Sequence, residues 1–398
     1  MTYIEDLLKE HCPNGVEWKT LGEVCEFRRG QSLTSRRAIP GDVPVISGGQ
    51  KPAFMHNISN REGETIVVAG SGAYAGFVSY WKQPIFVADA FSVDVKDFDK
   101  VSTRYVYHFL LNNQQKIYNT KTGAGIPHVY GRNIANFKLP LPPLKIQKEI
   151  VKILDKFTEY VTELTAELTL RKKQYSFYRD QLLSFENEVY QVEWKTLGEV
   201  GKVSMCKRIL KNQTSEDGDV PFYKIGTFGK EATSFISQEL FEDYRERFSY
   251  PKIGDVLISA SWTIGRTVVF NGKDSYFQDS NIVWLEHDES QVLNRYLFYF
   301  YQMNPWQVST GGTINRLYNR DIEKTRIPLP SLDIQKRIVH VLDHFDEICN
   351  NLNIGLPKEI ELRQKQYDFF RDQLLTFTAE GVYTDSTVQY STVQTRLD

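Results

Sequence analysis

The sequence predicts an α+β protein, with two pseudo-repeated β-rich domains separated by two long helices packed on each other as a coiled coil. Three observations carry that prediction. The chain is written twice, each copy alternates short β-branched runs with turn residues, and each copy ends in a long, heptad-spaced apolar series. In places the repetition is literal. Val16-Glu17-Trp18-Lys19-Thr20-Leu21-Gly22-Glu23-Val24 recurs letter for letter from Val192 to Val200. Ile146-Gln147-Lys148-Glu149-Ile150-Val151 returns as Ile334-Gln335-Lys336-Arg337-Ile338-Val339, and Arg179-Asp180-Gln181-Leu182-Leu183 as Arg371-Asp372-Gln373-Leu374-Leu375. The copies lie 176, 188 and 192 residues apart. That period is too long for a solenoid, so the half-chain is the unit. Nearly identical frames around dissimilar inserts imply two inserts doing similar jobs on different targets.

In chain order, residues 1–14 are helical in pattern. Tyr3-Ile4-Glu5-Asp6-Leu7-Leu8 ahead of Val16 echoes Tyr178-Arg179-Asp180-Gln181-Leu182-Leu183 ahead of Val192. The repeat is therefore circular, with residues 1–14 completing it, and the termini are expected near each other. Residues 15–142 form the first domain. Its strands are marked by Val43-Pro44-Val45-Ile46 before Ser47-Gly48-Gly49 and by Thr65-Ile66-Val67-Val68 before Gly70-Ser71-Gly72. An aromatic helical stretch runs from Tyr105 to Tyr118. The domain closes with Ile126-x-x-x-Tyr130-x-Arg132-x-Ile134 and Leu139-Pro140-Leu141-Pro142, whose prolines launch the next element from an extended backbone.

Residues 143–190 hold the central helix. Apolar side chains at 146, 150, 153, 157, 161, 164, 168, 175, 178, 182 and 185 form a heptad seam with one stutter. Unbroken, such a helix reaches roughly 60 Å, a spacer's length. Residues 191–330 repeat the domain, with strands at Val256-Leu257-Ile258 and Thr267-Val268-Val269-Phe270 and an aromatic stretch from Tyr296 to Trp306. Ile314-x-x-x-Tyr318-x-Arg320-x-Ile322 and Ile327-Pro328-Leu329-Pro330 close it. Residues 331–380 carry the second helix, with seam positions Ile334, Ile338, Val341, Phe345, Ile348, Leu352, Ile360, Tyr367, Phe370, Leu374 and Phe377. A kink or break is expected near Gly355-Leu356-Pro357. Residues 381–398 are polar and aperiodic, as a loose tail would be.

A chain of 398 residues can bury two or more cores. No stretch approaches the ~20 apolar residues of a membrane span, and the acidic start is unlike a signal peptide. Cys12, Cys25, Cys206 and Cys349 are scattered without a CxxC pair, which reads as reduced thiols in a cytoplasmic protein rather than a disulfide frame or metal site. The net charge of −2 is unevenly spread. Residues 25–138 hold 14 Lys and Arg against 8 Asp and Glu, whereas residues 201–327 hold 16 of each. A basic region is a footprint for polyanions, and the balanced second insert neither supports nor excludes them.

No catalytic constellation is present. Gly70-Ser71-Gly72-Ala73-Tyr74-Ala75-Gly76 spaces its glycines as GxGxxxG with no amphipathic helix behind it, so it reads as a turn between strands, not a dinucleotide loop. There is no GxxxxGK[ST] phosphate cradle, and no Asn-Pro-Pro or Asp-Pro-Pro step before an aromatic, as an amino-methyltransferase uses. His340 and His344 have zinc-compatible spacing, but Lys152 and Lys156 stand at the matching places, which favours solvated basic sites. Trp18 and Trp194 sit in the repeated frame, which favours core packing over stacking platforms.

The basic and polar side chains of the inserts are the candidates for DNA contact. In the first insert these are Arg28, Arg29, Arg36, Arg37, Gln50, Lys51, Tyr74, Lys121, His128 and Arg132. In the second they are Lys207, Arg208, Lys224, Arg266, Asn315, Arg316 and Arg320. Arg and Lys neutralise phosphate and contact guanine, while Gln and Asn pair with adenine. Arg132 and Arg320 are repeated, which suits a structural or phosphate-binding role better than a sequence preference.

Together these motifs make the chain resemble the specificity subunit of Type I restriction–modification systems over nearly its whole length. The resemblance rests on the two Val-Glu-Trp-Lys-Thr-Leu-Gly-Glu openings and on the proline runs leading into Gln147 and Gln335. It rests also on Arg171-Lys172-Lys173-Gln174-Tyr175 through Leu183, with its copy Arg363-Gln364-Lys365-Gln366-Tyr367 through Leu375. It implies two target-recognition domains, each reading half of a split double-stranded DNA sequence, separated by the two helices as an antiparallel coiled coil that sets the gap. It implies no catalysis and no cofactor or metal in this chain. Two methyltransferase subunits would bind S-adenosylmethionine, and two restriction subunits would use ATP and magnesium. The frame and helices would dock those partners, through Trp18, Trp194, Arg171, Lys172, Lys173, Arg363 and Lys365. A protein-binding module with two β-rich heads on a coiled coil is the alternative class, and an enzyme with a hidden site the third.

Overall fold

The computed structural model describes residues 2–123, 125–185, 192–307 and 316–377. The polar tail, Ile314 and Asn315 lie outside the described residues. Two compact units divide the chain: one takes it as far as Thr165 and again from Glu359, the other is Ala166–Lys358. The first unit runs α1 (Thr2–His11), β1 (Glu17–Thr20), α2 (Leu21–Val24), β2 (Cys25–Arg29), β3 (Val43–Ile46), β4 (Phe54–His56), β5 (Thr65–Ala69), β6 (Val78–Trp81), β7 (Phe86–Val87), β8 (Ala90–Val95), α3 (Thr103–Asn112), α4 (Gln114–Tyr118), α5 (Gly131–Ile134) and β9 (Lys138–Leu141). Helix α6 (Leu144–Ser184) follows. The second unit then runs β10 (Glu193–Thr196), α7 (Leu197–Val200), β11 (Lys202–Ser204), β12 (Val220–Tyr223), β13 (Phe235–Ile236), α8 (Gln238–Arg247), β14 (Val256–Ser259), β15 (Thr267–Val269), β16 (Tyr276–Phe277), β17 (Ile282–Glu286), α9 (Asn294–Gln302), α10 (Asn319–Glu323), β18 (Arg326–Leu329) and α11 (Leu332–Asn350). Helix α12 (Leu356–Leu375) ends the described chain.

The repeated opening folds as a strand that turns into one helical turn. Thr20 ends β1 and caps α2: its backbone N–H donates to Glu23 Oε2 at 2.6 Å and its hydroxyl donates to the same oxygen at 2.7 Å. Thr196 and Glu199 do the same, at 2.6 and 2.7 Å. Trp18 pairs with Pro140 across the β1–β9 ribbon, and Trp194 with Pro328 across β10–β18. The prolines tolerate these places because a two-stranded ribbon is all edge.

The inserts share one topology, strand for strand. The first has a four-stranded antiparallel sheet ordered β2-β8-β5-β6 and a three-stranded sheet β4-β3-β7; the second has β11-β17-β14-β15 and β13-β12-β16. In both, the parallel pair is the same one, β3 with β7 and β12 with β16. The inner strands β5 and β14 are buried at every residue, which is why they read as unbroken apolar runs rather than alternating ones. The second insert adds α8.

Helix α6 is continuous for 41 residues. Its first part belongs to the first unit and the rest to the second. The second helical region is broken between α11 and α12. A Cβ at Gly355 would sit 2.4 Å from the Glu347 carbonyl oxygen, so glycine is needed for the turn, and Pro357 stands in the first turn of α12, where its missing N–H costs nothing. Helix pairing is made inside each unit. Phe157 stacks on Phe370 with centroids 5.1 Å apart in the first, and Tyr178 on Phe345 at 5.8 Å in the second. Ile4, Leu7 and Leu8 of α1 share a core with Leu374 and Leu375 of α12, so the circular repeat closes within the first unit.

The seam differs in detail from the heptad reading. Beside the sheets, Ile146, Ile150 and Leu154 are the fully buried positions, and Leu342 takes the place expected of Val341, which is exposed. There the helix packs on a domain core across a face spaced by four residues, not along a narrow coiled-coil seam. Among the described residues no helix is long and apolar enough to cross a membrane.

Candidate nucleic-acid interface

Each head is fastened to its helix by bonds aimed at backbone. Gln147, fully buried, accepts from Ser102 N at 2.9 Å and donates to the carbonyls of Lys100 and Pro142, both at 2.8 Å. Gln335 accepts from Leu293 N at 3.0 Å and donates to Gln291 O and Pro330 O at 2.8 and 2.9 Å. Tyr105 and Tyr296 each donate their hydroxyl to a proline carbonyl, Pro140 and Pro328, at 3.0 Å. An ion pair repeats too: Arg104 with Asp155 at 2.7 Å and Arg295 with Asp343 at 2.5 Å. The second partner of that carboxylate differs. In the first unit it is fully buried His108, whose Nε2 lies 2.8 Å from Asp155 and whose Nδ1 lies 3.1 Å from the Tyr367 hydroxyl. In the second it is the Tyr299 hydroxyl. Burial pushes the His108 pKa below its ordinary value, against the opposing pull of Asp155.

The turn after the inner strand meets the closing loop in both heads. Gly70–Gly76 connects β5 to β6, as the glycine spacing predicted, and Val129 N donates to Gly70 O at 3.0 Å while Ser71 bridges His128. Leu317 N donates to Ala260 O at 2.8 Å and Ser261 bridges Arg316. These contacts align Ser71 with Ser261, Gly72 with Trp262, His128 with Arg316 and Tyr130 with Tyr318. In each head the tyrosine is exposed and flanked by cationic or imidazole groups. His128 stacks 5.9 Å from Tyr130, and the Arg132 guanidinium lies 4.8 Å from the Tyr130 ring. Arg316 and Arg320 lie 5.9 and 5.6 Å from Tyr318. Lys121 reaches the same turn, its ammonium donating to Ala73 O at 3.4 Å, and Tyr74 is exposed beside it. The structure thus gathers Tyr74, Lys121, His128 and Arg132 into one cluster and places Arg316 and Arg320 in its counterpart. An Arg over an exposed ring can meet phosphate while the uncovered part of the ring meets sugar or base.

The other candidates scatter. Arg36 and Arg37 are exposed on a single 3₁₀ turn, and Gln50 and Lys51 on the loop between β3 and β4. Arg29 and Arg208 are exposed, and Lys207 lies 5.0 Å from the Phe248 ring. Arg28 is held by Asp94 at 2.6 Å, which raises its pKa further. Lys224 donates to Ser234 Oγ at 2.8 Å, and half-buried Arg266 donates to Phe228 O at 3.0 Å, so both also serve their own loops.

On the helices, Arg171 contacts Glu167 and Gln174, and Lys172 and Lys173 are exposed. Arg363 pairs with Glu359 at 3.5 Å and Lys365 with Glu361. The core-packing reading of Trp18 and Trp194 is corrected: they are 40% and 43% exposed. Each strand is exposed over its first two residues and half-buried over its last two, and both indoles stand at the exposed end. Among the described residues no group of His, Cys, Asp and Glu has metal-binding geometry, and the four cysteines are free thiols. Burial pushes Cys25 and Cys206 up to about 12, far from reactive thiolates.

Three residues escaped the sequence reading. Arg61 is buried and ties the β2 edge together, donating to Ser92 Oγ, Asn60 O and Arg28 O at 2.7, 2.8 and 3.0 Å; a lone arginine in a loop carries no pattern. His108 sat unnoticed in an aromatic stretch. Trp262 stood in a stretch with no repeat partner of its own type.

Two heads of one topology, each clipped to a helical frame and each showing a cation-flanked tyrosine, define a duplicated recognition protein. Known proteins agree. The family described as the Type I restriction modification DNA specificity domain matches residues 13–171 and 191–362. A putative type I restriction enzyme specificity subunit of Haemophilus influenzae is 42% identical over 389 residues, covering 95% of this chain and 99% of that protein. The EcoR124I/EcoR124II specificity subunit of Escherichia coli is 32% identical over 428 residues, covering 95% and 97%. The crystal structure of a Type I S subunit from M. genitalium shares the fold, with a TM-score of 0.59 at 17% identity over 92% of this chain and 98% of that one. The chain belongs to the Type I restriction–modification DNA specificity family. It is a non-catalytic specificity subunit with two repeated target-recognition domains.

Proposed function

We propose that each unit reads one half of a two-part double-stranded DNA target, and that the helical frame sets the gap between the halves. The observation that carries this is the duplicated cluster: Tyr130 with His128 and Arg132, and Tyr318 with Arg316 and Arg320, at matching places in matching closing loops. The repeated Arg132 and Arg320 anchor phosphate, and the residues that differ between the heads read bases. The remaining candidates, from Arg28 to Lys51 and from Lys207 to Arg266, are scattered over the same inserts and add phosphate contacts or shape their own loops. Trp18 and Trp194, exposed on the frame, and the charged faces at Arg171–Lys173 and at Arg363 and Lys365 dock two methyltransferase subunits. Two restriction subunits complete the assembly. S-adenosylmethionine, ATP and magnesium belong to those partners, and the assembly works in the cytoplasm.

Co-expression with the cognate methyltransferase subunit, followed by mapping of methylated adenines, tests the reading. A motif of two short defined halves with a fixed gap is expected. A stable complex that yields no motif would instead favour a protein-interaction module. Charge reversal at Arg171–Lys173 is expected to weaken assembly, and intact assembly would remove the helices from the docking surface.

A further inference from the structure

Resting on that reading, we infer that Trp262 is the residue through which the second unit stacks on a base of its half-site. Trp262 is 74% exposed, although a large apolar ring gains most by burial. Its φ is +56°, a left-handed conformation that ordinary L-residues avoid because Cβ crowds the following carbonyl oxygen. The first unit places Gly72, at φ +83°, in the same turn. The turn therefore does not need an indole; glycine makes it more cheaply. A tryptophan kept against both preferences points outward for a reason other than the fold.

The neighbours hold the strained backbone and set its surroundings. Ser261 bridges Arg316, its hydroxyl donates to Asn281 Oδ1 at 2.8 Å, and Gly265 N donates to Ser259 O at 3.0 Å. Arg316 is fixed by a bond to Ser280 O at 2.9 Å. The indole thus rises from a rigid turn one residue away from the bridge to Arg316, next to the Tyr318–Arg320 group. An apolar ring beside fixed guanidinium groups suits a polyanion that carries stacked rings, namely DNA, better than an apolar protein surface. In the first unit, exposed Tyr74 projects from the equivalent turn, so each head offers one aromatic there, of a different kind.

The substitution Trp262→Gly tests this, because glycine suits the backbone. In the complex with methyltransferase subunits, affinity for duplex DNA bearing the mapped motif should fall by up to roughly 150-fold, the upper end for losing one base–aromatic stack, reduced by what unstacking that base from the duplex costs. The salt dependence of binding should keep its slope, since no cation is removed, and the melting temperature should not drop. Trp262→Tyr should restore most of the affinity. Unchanged affinity in Trp262→Gly, a lowered melting temperature that accounts for the loss, or failed subunit assembly would each overturn the inference. Absence of sequence-specific binding by the wild-type complex would instead remove the functional reading, and this inference with it.

Discussion

Replacing Gln335 by Met would test whether the buried amide is what fastens the second head to α11. Methionine has nearly the same volume and flexibility, so the change leaves no cavity and isolates the polar contribution. Three hydrogen bonds vanish: from Leu293 N, to Gln291 O and to Pro330 O. Each contributes about 1 kcal/mol net, and a buried group left without a partner costs about 1–3 kcal/mol. The Pro330 bond is buried, whereas the other two are only partly so, and water recovers part of their loss. The expected destabilisation is therefore about 3 kcal/mol. For a unit of roughly 200 residues this lowers the melting temperature by about 6–12 °C. Scanning calorimetry reads it directly. A shift under about 2 °C would refute the reasoning and make the side chain a passenger. Hydrogen exchange at the α9 start should accelerate in parallel, because the Leu293 amide loses its acceptor.

His108 makes the first unit acid-sensitive. Its folded pKa is lowered, chiefly by burial, so its contribution is full above the ordinary value near 6.5 and is lost as the pH falls through the folded value. Melting temperature should drop between pH 7.5 and 5.5, and His108→Asn should flatten that dependence; a wild-type chain equally stable at both would contradict the assignment. Arg132→Ala and Arg320→Ala should each reduce the slope of log affinity against log salt by about one while leaving the methylated sequence unchanged. A shifted motif would make them base readers. Duplicating Thr162-Glu163-Leu164-Thr165 in α6 lengthens the helix by ~6 Å and should widen the gap without altering either half-site; methylation mapping of the variant that returns the original gap would show that α6 is not the ruler.

Much of the frame was legible because it is repeated and periodic. The duplication marked both openings and both helices, and Gly355 with Pro357 marked the break between α11 and α12. What escaped was set by packing partners far away in sequence. Leu154 displaces Ile153 as the fully buried position, and Leu342 displaces Val341, because the facing surface is a sheet-and-helix core, and a heptad template assumes another helix. Trp18 and Trp194 looked internal since they recur, yet recurrence says only that the frame keeps them. At the interface, the pairing of Ser71 with His128 and of Ser261 with Arg316 joins residues over fifty apart, and no local pattern announces it. Trp262 became notable only through its φ and exposure.

The fastening bonds explain why the inserts can diverge while the frame does not. Gln147 and Gln335 bind backbone N–H and C=O groups, Tyr105 and Tyr296 bind proline carbonyls, and Leu21 N and Leu197 N donate to the carbonyls of Phe137 and Thr325 at 2.9 Å. Backbone is the same in any sequence, so the frame recognises the course of the insert and is indifferent to most of its side chains. The insert side chains bonded to the helices sit mainly on the aromatic helix: Arg104, Tyr105 and His108 in the first head, Arg295, Tyr296 and Tyr299 in the second. Exchange of residues 201–327 for a relative's insert that keeps an Arg-Tyr pair at that place should therefore preserve stability and change one half-site alone. Calorimetry and methylation mapping of the chimaera read the two halves of that claim separately. A stable chimaera with both half-sites altered would mean that the heads do not read independently. An unstable one would mean that the frame depends on insert side chains which the backbone bonds leave no role for.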